Sequence, residues 1–142
     1  MSNFLEILKS FDDSEHAEYP VGFVHEAAWS KFEKLAQEVC PQYPGSEFET
    51  GLRIQDASFH GQIMLKVRGG IAVIRASNFG NLITILDEDS LLENLSMTRL
   101  KRIFEKFGYT FVPSEILELD YTGKNGGVNG FRSWRLRFFD YT

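Results

Sequence analysis

Short apolar runs in the middle of the chain predict three consecutive strands. The runs cover 63–68, 71–76 and 82–86 and are rich in β-branched and aliphatic residues. Gly69-Gly70 separates the first pair, and the segment 78–81 separates the second. Two-residue glycine turns supply the positive φ angles that a type I′ or II′ hairpin needs. The pattern therefore predicts an antiparallel meander at the centre of the chain.

Apolar residues at helical spacing predict three helices around this meander. The first covers 3–11, and the second begins at Pro20 and ends before Pro41. We expect the second helix to bury one stripe, formed by Val24, Ala28, Phe32, Leu35, Ala36 and Val39. Ser96 can cap a third helix that ends at Gly108. Its apolar stripe is Leu100, Ile103, Phe104 and Phe107.

Weaker patterns complete the predicted order of elements. Thr50 to Phe59 is interpreted as a strand, His60-Gly61 as a turn, and Trp134 to Tyr141 as a terminal strand. The periodicity of residues 116–121 is compatible with either a strand or a short helical turn. Grouped helices and hairpin strands predict an α+β fold for a single domain over 1–142. We expect a mainly antiparallel sheet of about five strands, with two early helices and one later helix packed on it.

Composition and charge narrow the class of protein. At 142 residues and 43% hydrophobic, the chain can build a core without disulfides, and it has one cysteine, Cys40. No apolar run approaches the roughly 20 residues of a membrane span, and the first residues lack a signal-peptide pattern. We therefore expect a cytoplasmic protein that is not bound to a membrane. One cysteine also fits a reducing compartment.

The acidic residues are concentrated in the first third of the chain. Net charge is −5; residues 1–50 carry ten acidic residues against three lysines, and residues 51–142 carry ten against twelve basic ones. An acidic first third disfavours nucleic acid as a partner and suits a basic protein. A solvated helix face that keeps the protein soluble is the other explanation. The third helix carries Arg99, Lys101, Arg102 and Lys106, which the acidic early helices could pair with.

Motifs for catalysis, cofactors and metals are not convincing. The glycine-rich segment 122–130 lacks the Walker spacing and precedes a predicted strand. The three histidines show no metal-ligand spacing, and Cys40 follows a helix, where the dipole disfavours a thiolate. Carboxylates that could flank a cleft are Asp56, Glu118, Asp120 and Asp140. We therefore expect no cofactor and no metal, and we favour a protein without enzymatic activity over an enzyme.

The predicted terminal strand carries the most distinctive surface pattern. Arg135, Arg137 and Phe139 would share one of its faces, with Arg132 nearby. Arginine beside an exposed aromatic ring is typical of protein-binding hot spots and also suits a small anionic ligand. A half-buried strand with one solvated face is the plainer interpretation.

These patterns support one leading hypothesis and two alternatives. The leading one is a non-enzymatic, protein-binding domain, such as an immunity protein or antitoxin, whose acidic face meets a basic protein. The alternative is an anionic-ligand-binding domain or enzyme with a cleft between helices and sheet, using Arg135, Arg137 and Asp140 or Asp120. A homo-oligomer formed by edge pairing of the last strand is the third. The candidate face consists of Glu26, Glu33, Glu38, Arg132, Arg135, Arg137, Phe139 and Asp140.

Overall fold

A five-stranded sheet forms the centre of the protein. The computed structural model describes residues 3–12, 19–20, 22–51, 58–86, 97–119 and 133–140. The strands lie in the sheet in chain order, and the first four are antiparallel. The last strand runs parallel to its neighbour. The strands are β1 Glu47–Thr50, β2 Phe59–Val67, β3 Gly70–Ser77, β4 Leu82–Leu86 and β5 Thr110–Phe111.

Helices precede and follow the meander, which confirms the predicted α+β class. The two early helices are α1 Asn3–Phe11 and α2 His25–Val39, and a 3₁₀ turn, Cys40–Gln42, follows α2. Two later helices are α3 Met97–Lys106 and the short α4 Ser114–Leu117. The described part of the chain closes with a π-helical turn, Leu136–Asp140.

Two apolar clusters hold helices to the sheet. In the first, α2 and α3 pack on residues of β2, β3 and β4, with Phe32, Ile63 and Phe104 among its fully buried members. In the second, α1 and the π-helical turn pack against β4 through Leu8, Leu82, Phe138 and Phe139. Four of the six residues in the predicted α2 stripe are buried, but Val24 is 61% exposed because it precedes the first turn of the helix.

The turn between β2 and β3 lies one residue earlier than predicted. Val67 pairs with Gly70, so Arg68 and Gly69 form the two-residue turn. Only Gly69 of these two has a positive φ, 96°. A positive φ at the second central residue is typical of a type II turn and not of type I′ or II′. The turn between β3 and β4, residues 78–81, lies where it was predicted.

The prediction of a turn at His60-Gly61 is wrong. Both residues lie inside β2, where Phe59, His60 and Gly61 are all buried and the alternation of buried positions begins only at Gly61. A Cβ atom on Gly61 would lie 2.3 Å from Cδ2 of the fully buried Phe32. Glycine is therefore needed here for the close approach of α2 and not for a turn. The predicted strand Thr50–Phe59 contributes its first residue to β1 and its last to β2, while residues 52–57 lie outside the described part.

The prediction of a terminal strand is also wrong. Residues 134–140 are helical. Trp134, Phe138 and Phe139 are all fully buried, and their spacing of four and five residues suits one side of a helical turn. A strand would require buried and exposed positions to alternate. The alternation in the sequence was misleading because Arg137, which reads as an exposed position, is itself buried.

Gly108 ends α3 in the way the sequence predicts. Its φ is 83°, its amide donates to the carbonyl of Glu105, and the amide of Tyr109 donates to the carbonyl of Phe104. These two bonds form a Schellman motif, in which a left-handed glycine follows the helix. The motif turns the chain from α3 into β5.

Replacing Gly61 with alanine is expected to destabilise the protein by roughly 1–3 kcal/mol, because the new methyl group overlaps the buried Phe32 ring. Urea unfolding followed by circular dichroism measures the loss. A Phe32→Leu variant provides the matched background, since the smaller side chain makes room for the methyl group. The cost of the alanine should shrink clearly in that background; an equal cost in both would contradict the overlap.

Candidate functional site

The outward side of α2 carries two of the predicted acidic residues. α2 forms over a stripe at helical spacing that buries Phe32, Leu35, Ala36 and Val39. Glu26 and Glu33 lie away from that stripe and are exposed. They are seven positions apart, which is close to two helical turns, or roughly 10 Å along one side of the helix. Within the described part of the chain, neither carboxylate forms an ion pair, although Glu33 Oε1 accepts a hydrogen bond of 3.5 Å from Gln37 Nε2.

Apolar side chains are exposed beside these carboxylates. Val24, two residues before Glu26, is 61% exposed, and Tyr19 is 39% exposed. Tyr19 stacks edge-on against His25, with ring centroids 4.7 Å apart, so its ring is held against the start of α2. Exposed acidic groups on α2 and exposed apolar groups in the segment that leads into it therefore occur close together in the chain. We call Tyr19, Val24, Glu26 and Glu33 the α2 face.

The third predicted acidic residue, Glu38, already has a partner in the fold. Its Oε1 accepts from Lys106 Nζ at 2.7 Å, so the last turn of α2 is joined to the last turn of α3. Arg99 Nη1 donates to Gln42 Oε1 at 3.2 Å beside it. The predicted pairing of the acidic early helices with the basic third helix occurs here. Glu38 thus stabilises the packing of α2 on α3.

The arginine-rich part of the predicted face is divided between surface and interior. Arg135 is half-exposed, with Nη1 3.6 Å from Glu118 Oε1. Arg137 and Phe139 are fully buried, so they do not form a surface with Arg135. Asp140 ends the π-helical turn, and Arg132, Asp56 and Asp120 lie outside the described residues. The single exposed face predicted for Arg135, Arg137 and Phe139 is not formed.

Arg137 is held in an interior ion pair. Its Nε donates to Asp12 Oδ1 at 2.7 Å, and both side chains are almost completely inaccessible to solvent. The guanidinium also lies 4.4 Å from the centroid of the Phe79 ring and 5.1 Å from that of Phe138. An arginine enclosed by a carboxylate and two aromatic rings is a structural element of the second apolar cluster. It is therefore not available to an anionic ligand.

A second polar group lies in the interior at His60. His60 is where the pairing of β2 with β3 shifts register, and its side chain is buried. Nδ1 lies 3.1 Å from Asn78 Oδ1, and Nε2 lies 3.5 Å from Tyr109 Oη. Burial lowers the pKa of His60 to about 4, and its hydrogen bond to Asn78 only partly offsets that effect. Burial also raises the pKa of Tyr109, so both groups are neutral at pH 7.

Lys31 connects this interior group to the surface. Its Nζ lies 4.2 Å from the centroid of the Tyr109 ring and donates to Asn81 Oδ1 at 2.9 Å. Burial lowers the pKa of Lys31. Sequence reasoning missed this cluster, since it assigned His60 to a turn. Alternation back from Ile63 could have placed Gly61 in the strand, but it gives no signal for the burial of His60, where the register shifts.

A cavity of about 260 Å³ lies between α3, the β4–β5 edge of the sheet and α4. Its apolar walls are Ile85, Met97, Phe111 and Pro113. Its polar groups are Lys101, Ser114 and Glu115. A cleft between helices and sheet was also predicted from the sequence. The residues predicted to line it, Arg135, Arg137 and Asp140 or Asp120, are not among those that line this cavity. Sequence patterns could not bring together side chains from four separate elements.

Other kinds of site find little support in the described residues. No three side chains of His, Cys, Asp or Glu gather there as they would around a metal ion. Cys40 is a free, half-buried thiol whose pKa is raised by burial, as expected for an unreactive cysteine. None of the described helices is long and apolar enough to cross a membrane.

The chain matches no protein-family model, no curated protein and no solved structure.

Proposed function

We propose that this protein is a non-enzymatic protein-binding module whose α2 face binds a basic partner protein. One such module would be an immunity protein or antitoxin that neutralises a basic toxin or nuclease. The observation that supports the proposal is the pair of exposed carboxylates of Glu26 and Glu33, without ion-pair partners in the described part, on one side of α2. A cytoplasmic location would suit such a role.

The α2 face combines the two properties that protein recognition uses. Exposed carboxylates steer a basic partner during diffusion and set its orientation, which raises the association rate. Exposed apolar groups such as Val24 and Tyr19 supply surface that gains free energy when a partner removes it from water. Lys34 is exposed next to Glu33, so the face is mixed in charge. The buried side of α2 packs on the sheet, which gives the face a rigid support.

The described contacts support the alternatives less well. A cleft that uses Arg135 and Arg137 for an anionic ligand would need Arg137 to leave Asp12 and the protein interior. Edge pairing through the last strand would need a strand where a π-helical turn is found. The edges of the sheet are β1 and β5. Protein binding through the α2 face requires no such rearrangement.

Reversing two charges on the α2 face tests the proposal. We expect a Glu26→Lys/Glu33→Lys variant to associate with the partner roughly tenfold more slowly at low salt than the native protein. The salt dependence of its association should also be weaker. The partner is first captured from host lysate at low salt on the native protein and purified. Association is then followed by stopped-flow fluorescence over a range of salt concentrations.

The control keeps the net charge change while leaving the face intact. A Glu105→Lys/Glu115→Lys variant alters two exposed glutamates on α3 and α4 and carries the same added charge. It should associate nearly as fast as the native protein. Equal slowing in both variants would show that only net charge matters and would contradict a binding face on α2. Failure of the native protein to capture any basic protein would contradict the proposed class of partner.

A further inference from the structure

The cavity beside α3 has a size that suits a small molecule. Its volume of about 260 Å³ exceeds the roughly 150 Å³ of a cavity that holds benzene. It is slightly below the range of about 300–1,000 Å³ that is typical of sites for drug-sized ligands. Ile85 forms the buried floor, and Met97, Phe111 and Pro113 are half-buried walls. An apolar group of modest size would therefore be partly covered here.

Charged groups of both signs line the same cavity. Lys101 and Glu115 are exposed, and they form no ion pair with each other or with another described residue. Lys101 Nζ lies 5.2 Å from the centroid of the Phe111 ring, so its ammonium group is held above one wall. The hydroxyl of Ser114 adds a group that can both donate and accept a hydrogen bond.

We propose that this cavity binds a small zwitterion with an apolar side chain, of the free amino-acid type. The apolar side chain contacts Met97 and Phe111, the carboxylate faces Lys101, and the ammonium group faces Glu115. A simple anion could pair only with Lys101 and a simple cation only with Glu115, whereas a zwitterion can pair with both. A purely apolar ligand would leave both charged groups unused. The site lies on α3, α4 and the sheet edge, so it does not depend on the α2 face.

A ligand series tests the proposed chemistry on the native protein. L-Phenylalanine and L-leucine are titrated at millimolar concentration and followed by two-dimensional NMR of the ¹⁵N-labelled protein. We expect saturable shifts that include the amides of Lys101, Phe111 and Glu115. N-Acetyl-phenylalanine lacks the cation, phenylalanine amide lacks the anion, and alanine lacks the large side chain. Each should bind more weakly than phenylalanine. No saturable shift with either amino acid, or equal binding of the blocked derivatives, would overturn the proposal.

Variants with matched controls test the assigned residues. Lys101→Met and Glu115→Gln should each weaken phenylalanine binding by up to roughly fivefold, the range for exposed ion pairs. Arg102→Met and Glu105→Gln change exposed charges on α3 that do not line the cavity, so binding should be unchanged. Met97→Trp should abolish binding by filling the cavity. Weakening by the control variants as large as by the lining variants would assign the ligand to another place.

Discussion

Replacing Arg137 with methionine is expected to destabilise the protein by about 3–5 kcal/mol, the usual cost of breaking a buried ion pair on one side. The substitution removes the guanidinium that lies 2.7 Å from the Asp12 carboxylate in the interior of the native protein. It also removes the guanidinium from the Phe79 and Phe138 rings. Urea unfolding monitored by tryptophan fluorescence measures the change in the free energy of unfolding.

Two further variants distinguish the stability lost by breaking the buried ion pair from the stability lost by removing any arginine. Arg135→Met removes a half-exposed arginine two residues away and should cost less than about 1 kcal/mol. An Asp12→Asn/Arg137→Met double variant should be less destabilised than the sum of its single changes, because each charge is then removed together with the charge it faces. An Arg137→Met protein as stable as Arg135→Met would contradict the role assigned to the pair.

Acidification is expected to destabilise the protein through His60. Its pKa is about 4 in the folded protein and about 6.5 when the chain is unfolded. Below pH 6.5 the unfolded state therefore binds a proton that folded His60 does not, and stability falls as the pH falls. The loss develops between pH 6.5 and 4 and reaches about 3 kcal/mol, with about 2 kcal/mol already lost at pH 5.

A His60→Gln variant isolates this effect from other titrating groups. Glutamine keeps a polar group near Asn78 but does not titrate, so the variant should lose less stability between pH 7 and pH 5 than the native protein. The difference between the two proteins, measured by urea unfolding at each pH, should be about 2 kcal/mol. His25→Gln serves as the control: it leaves His60 in place and removes only a minor cause of its lowered pKa, so it should retain most of the native pH dependence. Parallel pH profiles for the native and His60→Gln proteins would refute a neutral, buried His60.

Elements with strong periodicity could be predicted from the sequence, and those decided by a distant contact could not. The stripe of Leu100, Ile103 and Phe104 defined α3, and Gly108 marked its end, because both signals are local. The sequence His60-Gly61 is typical of a turn, so a turn was predicted there. Glycine is needed at position 61 for a different reason: the ring of Phe32, which belongs to α2, packs against it. Local propensity gives way to packing at such positions.

The same distinction applies to the candidate binding residues. The exposure of Glu26 and Glu33 follows from their position relative to the stripe of α2, and helical spacing alone predicts it. Arg137 reads as a surface residue because arginine is almost never fully buried without a partner. That partner, Asp12, is 125 residues away in the sequence. The side chains of the cavity come from separate elements, so only the tertiary structure shows that they meet.

The Asp12–Arg137 pair has a consequence for the order of events during protein synthesis. Residues 47–86, which form four neighbouring strands, leave the ribosome long before residue 137 is translated. The meander can therefore pair early, whereas Leu8 and Asp12 must wait for the residues around Arg137 and Phe138. Until then, the apolar side of β4 and the carboxylate of Asp12 lack their final neighbours. The nascent chain is thus expected to present a chaperone-binding surface on this side of the sheet until the residues around Arg137 have left the ribosome.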